Sequence, residues 1–346
     1  MTEHVSRETT EVTIVTHLPP GDEPTGGVRS DHGVQVASSF ARPVPAPDQH
    51  ADTPLAAAAR EHVDLAQRVQ EIDAFRRPAE TRIFVVANQK GGVGKTTTTV
   101  NIAAALALKG LRVLVVDLDP QGNASTALDV EHSEGTPGVY EAVVEGVPIE
   151  DLVRPAPALP GLTVLPASID LAGAEIELVS LVARETRLDK AIQTHLHQRA
   201  AAGDRIDYVL IDCPPSLGLL TVNAMVAGRE VLIPIQCEYY ALEGLGQLLR
   251  NIELVRSHLN PDLDVSTILL TMYDARTNLS AGVAHEVREH FGSQVLTTAI
   301  PRSVRISEAP SYQQTVLTYD RSSSGALSYL EAAREITEAP RAQEAR

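Results

Sequence analysis

The sequence predicts a doubly wound, mostly parallel α/β sheet with helices on both faces. Three observations predict it. An apolar run, Ile83-Phe84-Val85-Val86-Ala87, passes through a glycine-rich turn, Gly91-Gly92-Val93-Gly94, into Lys95-Thr96-Thr97 and a helical pattern (Val100, Ala104, Ala107, Leu108). Strand, glycine loop, lysine-threonine and helix in that order is the layout of a phosphate-binding loop. Two more apolar runs, 112–117 and 206–212, are nearly unbroken and end in Asp117 and Asp212, as strands buried on both faces do. Elsewhere short β-rich runs alternate with helical patterns, the mark of βαβ units.

The chain has 346 residues, enough for one large α/β domain plus a tail, or for two domains. Its net charge of −16 argues against a wholly basic nucleic-acid wrapper but leaves room for a local basic patch. It has two cysteines, Cys213 and Cys237, and starts without a secretory pattern, which suggests a reducing cytoplasm. No run approaches the roughly 18 apolar residues of a membrane span. Aromatic residues are 3% with no Trp, so aliphatic packing must build the core. His195 and His197 fall two apart on a helical stretch, hence on different faces and not as a metal pair.

In chain order, residues 1–54 are Pro/Gly/Asp-rich without an apolar period and are expected to be disordered. Residues 55–80 form a helical extension, with Leu65, Val69, Ile72 and Phe75 on one face and Pro78 expected to end it. Packing against the core is the plain expectation; a partner-binding helix is the sharper one. The main domain spans 81–338. After the phosphate-loop strand and helix, Gly110 suits a helix stop. Asp117 and Asp119 then stand at a strand's carboxyl end, before Pro120-Gln121-Gly122-Asn123. Ligands bind outside the carboxyl ends of such strands, so these acids face the phosphate loop. Residues 135–160 read as a surface region with short helices, 162–166 as a strand and 169–201 as helical. The strand 206–212 follows, and Cys213-Pro214-Pro215-Ser216 is a rigid turn. Further strands are expected at 229–234, 265–272 and 295–300. Helices are expected up to 259, at 280–291 and at 325–337, with 301–305 a loop and 339–346 a polar tail.

The chemistry concentrates at the loop. Glycines let backbone N–H groups converge on phosphate oxygens without Cβ clashes, and the next helix points its positive end the same way. Gly91, Gly92, Val93, Gly94, Lys95, Thr96 and Thr97 form the cradle. Lys95 reaches the β/γ-phosphates and the Thr96 hydroxyl is placed to hold Mg²⁺. Asp212, ending an apolar strand beside such a loop, is the second candidate for Mg²⁺. The loop departs from the usual pattern at Gln89, where a glycine is common, and at Lys90, a second lysine at its front.

With these residues the chain resembles the ParA/Soj family of partition ATPases, within the deviant Walker A class that also holds MinD and the nitrogenase iron protein. The resemblance covers about 81–338 and rests on NQKGGVGKTTT, VVDLDPQGN, VLIDCPPS, QCEYYALEGL and IPRSVRISEAPS. It implies ATP rather than GTP, in keeping with the lack of an N-K-x-D guanine motif. It implies that Lys90 crosses a dimer interface to the partner's nucleotide, that Asp119 positions the attacking water and that Asp117 lies close to the metal. Pro301, with Asn123 and Tyr273, is implied near the base. The ATP-bound homodimer is implied to bind DNA without sequence preference through Arg276 and Arg305; either arginine could instead be structural or face the nucleotide. A slow ATP hydrolase follows, stimulated by a ParB-type centromere-binding protein, cytoplasmic and nucleoid-associated, segregating a chromosome or plasmid. A relative that positions another protein cargo shares every motif. A MinD-like membrane ATPase needs a C-terminal amphipathic helix, which this tail lacks.

Overall fold

The computed structural model describes residues 53–239 and 244–339. The expected disorder of the N-terminal stretch lies outside the described residues up to position 52. So do most of the polar tail and part of the QCEYYALEGL motif.

The described chain begins with helix α1 (Pro54–Glu71). Strand β1 (Arg82–Val86), helix α2 (Lys95–Leu108), strand β2 (Val113–Asp117) and the short helix α3 (Asn123–Ala127) build the phosphate-loop half. A single π-turn (Glu141–Glu145) and a 3₁₀ turn (Ile149–Asp151) cross the surface to β3 (Arg154–Pro155) and β4 (Leu162–Leu165). Helices α4 (Leu171–Leu178) and α5 (Arg187–Ala201) lead to β5 (Tyr208–Asp212). Helix α6 (Leu219–Ala227), β6 (Glu230–Gln236), α7 (Leu245–His258), β7 (Asp264–Thr271) and α8 (Asn278–Phe291) follow. The described chain closes through α9 (Val304–Glu308), α10 (Val316–Tyr319) and α11 (Ser324–Glu338).

The strands form one seven-stranded sheet in the order β3-β4-β2-β5-β1-β6-β7. Every pairing is parallel except the β3–β4 edge, which is antiparallel. Alternate residues of each strand enter different cores. Phe84 and Val86 join α2, α3 and α11 on one face, while Ile83 and Val85 join α4 to α8 on the other. Both faces are therefore covered, which is why the strands read as continuous apolar runs. Helix α2 is buried round nearly its whole circumference, from Thr98 to Ala107, so its pattern is uniformly small and apolar instead of amphipathic.

Four local expectations are corrected. Helix α1 ends at Glu71, short of Pro78. The chain then continues as an irregular segment that buries Ile72 and Phe75. Lys109 reaches across to the Val69 and Ile72 carbonyls and accepts a hydrogen bond from Phe75 N on its own carbonyl at 3.2 Å. The helical stretch 169–201 is broken in two, with Ala183 in the left-handed region at φ 55°. The segment 295–300 is not a strand. Leu296 N and Ile300 N donate to β7, but Thr297 N and Thr298 N turn to the Glu335 carboxylate at 2.7 and 2.9 Å, which interrupts the ladder. The loop 301–305 turns helical at Val304, so Arg305 sits on α9.

Candidate phosphate and metal site

The site lies at the carboxyl ends of β1, β5 and β2, where the order of the sheet places three chain crossovers together. Asn88 anchors the phosphate loop at its entry. Its Nδ2 donates to the Pro234 carbonyl at 2.8 Å, and its Oδ1 accepts from Lys90 N at 3.0 Å. At the exit Thr271 Oγ1 donates to the Val93 carbonyl at 2.8 Å, tying the loop to β7. Between them the backbone turns through positive φ at Gly92 (75°) and Gly94 (89°), a conformation that L side chains resist. Gly91 and Gly92 are exposed and Val93 is buried beneath them. Gly94 is the N-cap of α2 and gives it no side-chain cap. The helix's first N–H groups are therefore left for an anion.

Lys95 is buried, with Nζ 3.5 Å from the Lys90 carbonyl. Burial lowers its pKa, opposed by the charges of Asp212, Cys213 and Asp119. Thr96 and Thr97 are half-buried at the start of α2. Asp212 is wholly buried. Its Oδ1 accepts from Thr99 Oγ1 at 3.0 Å, and the Thr96 hydroxyl also stabilises its charge. Its Oδ2 is enclosed without a hydrogen-bond partner. Burial, then the charge of Asp117, pushes this carboxyl well above the ordinary range. An orphaned carboxylate oxygen beside a threonine hydroxyl is an all-oxygen donor set, which suits a hard divalent cation such as Mg²⁺.

Asp117 has a different local employment. Its Oδ2 accepts from Ser125 N at 2.9 Å and Ser125 Oγ at 2.8 Å, and its Oδ1 from Asp119 N at 3.3 Å. Asp117 thus fastens α3 and the following turn to the end of β2. Asp119 is half-buried, and its Oδ1 accepts from Gln121 N at 3.0 Å. It keeps solvent contact.

A cavity of about 200 Å³ opens beside the loop, lined among others by Gly94, Thr97, Met272, Pro301, Ser303 and Tyr329. Met272 holds φ at 51° there, unusual for a residue with a side chain. Pro301 is therefore next to the phosphate cradle. Asn123 and Tyr273 are not among the cavity's lining residues.

Lys90 is half-buried at the front of the loop, with Nζ 4.0 Å from Glu238 Oε2. Glu238 also accepts from Arg302 at 3.0 Å. Sequence reasoning missed this shared carboxylate, as it missed Ser125 and Thr99. The repeated threonines 96–99 were a signal for Thr99, because i and i+3 share a helix face. Arg276 is exposed and forks onto its neighbour Asp274, at 2.9 and 2.8 Å. That pair holds Asp274 down to about 2. Arg305, exposed on α9, contacts Glu308 and Asp320 at 3.4 Å each. Both arginines reach solvent, but neither is a bare cation. Among the described residues no helix is long and apolar enough to cross a membrane.

Fold and loop together define a nucleotide-binding ATPase of the P-loop class. Comparison with known proteins narrows this. A family described as an AAA domain matches residues 81–265. The chain is 51% identical to the sporulation initiation inhibitor protein Soj of Bacillus subtilis, over 74% of this chain and 98% of that one. It is 48% identical to the chromosome partitioning protein ParA of Caulobacter vibrioides, over 77% and 97%. It therefore belongs to the ParA/Soj family of chromosome-partitioning ATPases. Among solved structures it resembles a cobyrinic acid a,c-diamide synthase from Mycobacterium smegmatis with bound ADP and magnesium (41% identity, TM-score 0.62, 73% of this chain and 92% of that one). It also resembles the cell division ATPase MinD of Pyrococcus furiosus (27% identity, TM-score 0.58, 74% and 98%).

Proposed function

We propose that the chain is an ATP-driven partition switch that dimerises with ATP, binds DNA without sequence preference in that state, and is released when a ParB-type partner stimulates hydrolysis. One observation supports the reading: a second lysine, Lys90, stands half-buried at the front of the phosphate loop, its ammonium 4.0 Å from the Glu238 carboxylate. A cation so placed can serve a nucleotide held by a second subunit, which links ATP to dimerisation.

In this reading Gly91 to Thr97 cradle the phosphates, and the Pro301 cavity takes the base, with Asn123 contributing to nucleotide binding from the start of α3, outside that cavity's lining. Thr96 and Asp212 hold Mg²⁺, whose bound charge neutralises the triphosphate. Asp117 adds negative charge nearby and fixes the turn that carries Asp119. Asp119 orients the attacking water, since phosphoryl transfer depends on positioning more than on proton removal. Arg276 and Arg305 contact DNA phosphates by exchanging their own carboxylate partners, which makes binding salt-sensitive; dimerisation doubles the contacts. The 81–338 region forms the ATPase domain, with 55–80 an extension upon it. The protein works in the cytoplasm on the nucleoid.

Light scattering with ATP and magnesium, with ADP and magnesium, or with neither tests the switch. A doubled mass with ATP alone is expected. An unchanged mass in all three states contradicts it.

A further inference from the structure

Another cavity, of about 300 Å³, opens between α5 and the surface crossing that holds the π-turn and the 3₁₀ turn. It shares no lining residue with the cavity beside the phosphate loop, and nothing in the nucleotide reading uses it. Its volume falls at the small end of ligand pockets, about 300–1,000 Å³. One wall is α5, with Arg187, Lys190, Ala191 and His195. Their spacing of three, one and four keeps them on one helix face. The opposite wall is apolar and is built by Ala142, Val147 and Ile149. Ala142 sits in the π-turn, a rare backbone form that recurs at functional sites.

The charge of this cavity is one-sided. None of the residues lining it is acidic. Lys190 is exposed and forms no ion pair among the described residues. Arg187 donates from Nε to the Val143 carbonyl and from Nη2 to the Val144 carbonyl at 3.0 Å. These bonds fix the guanidinium and leave Nη1 without a hydrogen-bond partner among the described residues. Side chains three apart on a helix are neighbours, so Arg187 and Lys190 can share the two oxygens of one carboxylate. His195 is buried, with Nδ1 3.1 Å from Glu150 Oε2. Burial lowers its pKa more than Glu150 raises it, so near pH 7 its ring adds no charge to the wall. An inorganic anion leaves the apolar wall uncovered, and a neutral apolar molecule leaves both cations unused.

We propose that this cavity binds a small amphipathic carboxylate, its anionic head on Arg187 and Lys190 and its aliphatic body along Ala142, Val147, Ile149 and Ala191. The inference needs neither nucleotide nor the dimer.

The test is isothermal titration calorimetry of the full-length protein without nucleotide, with three probes. Octanoate carries both head and body, octanamide the body without the charge, and acetate the charge without the body. The variants are Lys190→Gln, which removes one cation from an exposed position, and Ala191→Leu, which adds bulk to the apolar wall and leaves both cations in place. Thermal melts confirm that both fold. Octanoate is expected to bind saturably at one site, with octanamide and acetate each weaker by about tenfold or more, about 1.4 kcal/mol. Lys190→Gln is expected to weaken octanoate by about fivefold and to leave octanamide as it was. Ala191→Leu is expected to weaken octanoate and octanamide alike by about tenfold. Absence of saturable octanoate binding overturns the proposal. So does octanoate binding that both variants leave unchanged, which places the anion elsewhere on the surface. Equal affinity for octanoate and acetate overturns it as well, because the apolar wall then takes no part.

Discussion

Asp117 and Asp212 stand in register at the carboxyl ends of neighbouring parallel strands, β2 and β5, and both are wholly buried. Strands so paired lie about 4.8 Å apart, so two carboxyl groups share one dry corner. Ser125 and the Asp119 N–H hold Asp117, while Asp212 keeps one oxygen open. The arrangement is poised for a cation.

This relationship has a pH signature. Burial pushes both carboxyls up, and the Asp117 charge adds to the effect at Asp212. A pKa raised in the folded state gives stability that is full below the unfolded value and is lost as pH rises through the folded one. The nucleotide-free protein should therefore lose stability from these groups as pH climbs above about 4. Magnesium with a non-hydrolysable ATP analogue should reduce that loss, and Asp212→Asn should flatten it. Calorimetric melting temperatures across a pH series check both.

Lys90→Ala should leave ATP affinity within about threefold and abolish the ATP-induced dimer. The Lys90 ammonium lies beside Glu238 and Lys95 remains in the cradle, so binding within one subunit is expected to survive the change. Dimers at the wild-type level by light scattering would remove Lys90 from the interface. Glu238→Gln, which frees Lys90, should preserve the dimer.

Asp119→Ala should slow phosphate release by about 100-fold while ATP dimers persist on DNA. Single-turnover hydrolysis, together with DNA retention, reads the effect. Normal turnover would exclude Asp119 from the chemistry.

Gly94→Ala should cost about 1–2 kcal/mol from the left-handed backbone alone. The nearest atom to the new Cβ is Thr271 Cγ2 at 3.9 Å, so packing adds little. Nucleotide affinity should fall with stability, because Gly94 sets the direction of the first N–H groups of α2. Denaturant melts and equilibrium binding measure the two losses.

Phe75→Ala should destabilise the protein by about 3 kcal/mol. Phe75 is buried in the core shared with α2 and α11. An effect near zero in urea melts would make the 55–80 extension a loose appendage.

The parallel strands were legible because burial on both faces leaves an unbroken apolar run, and Asp117 and Asp212 end those runs. The glycine loop was legible because its backbone conformation excludes other residues. What escaped the reading depends on distant side chains. No local pattern signals that Glu335 on α11 draws Thr297 and Thr298 off β7, or that Glu238 joins Lys90 to Arg302. The break between α4 and α5 contains neither Gly nor Pro, so Ala183 adopts its positive φ without a sequence cue. Arg305 was expected in a loop because 301–305 was read as the turn at a strand's carboxyl end; a helix begins there at Val304.

The most direct test of the account is binding to random-sequence DNA with ATP, with ADP and with neither, across a salt series. The account predicts binding with ATP alone, weakening steeply with salt, and losing slope in Arg276→Glu and Arg305→Glu. Absence of binding in every state while ATP hydrolysis proceeds would contradict it and would withdraw both arginines as DNA contacts.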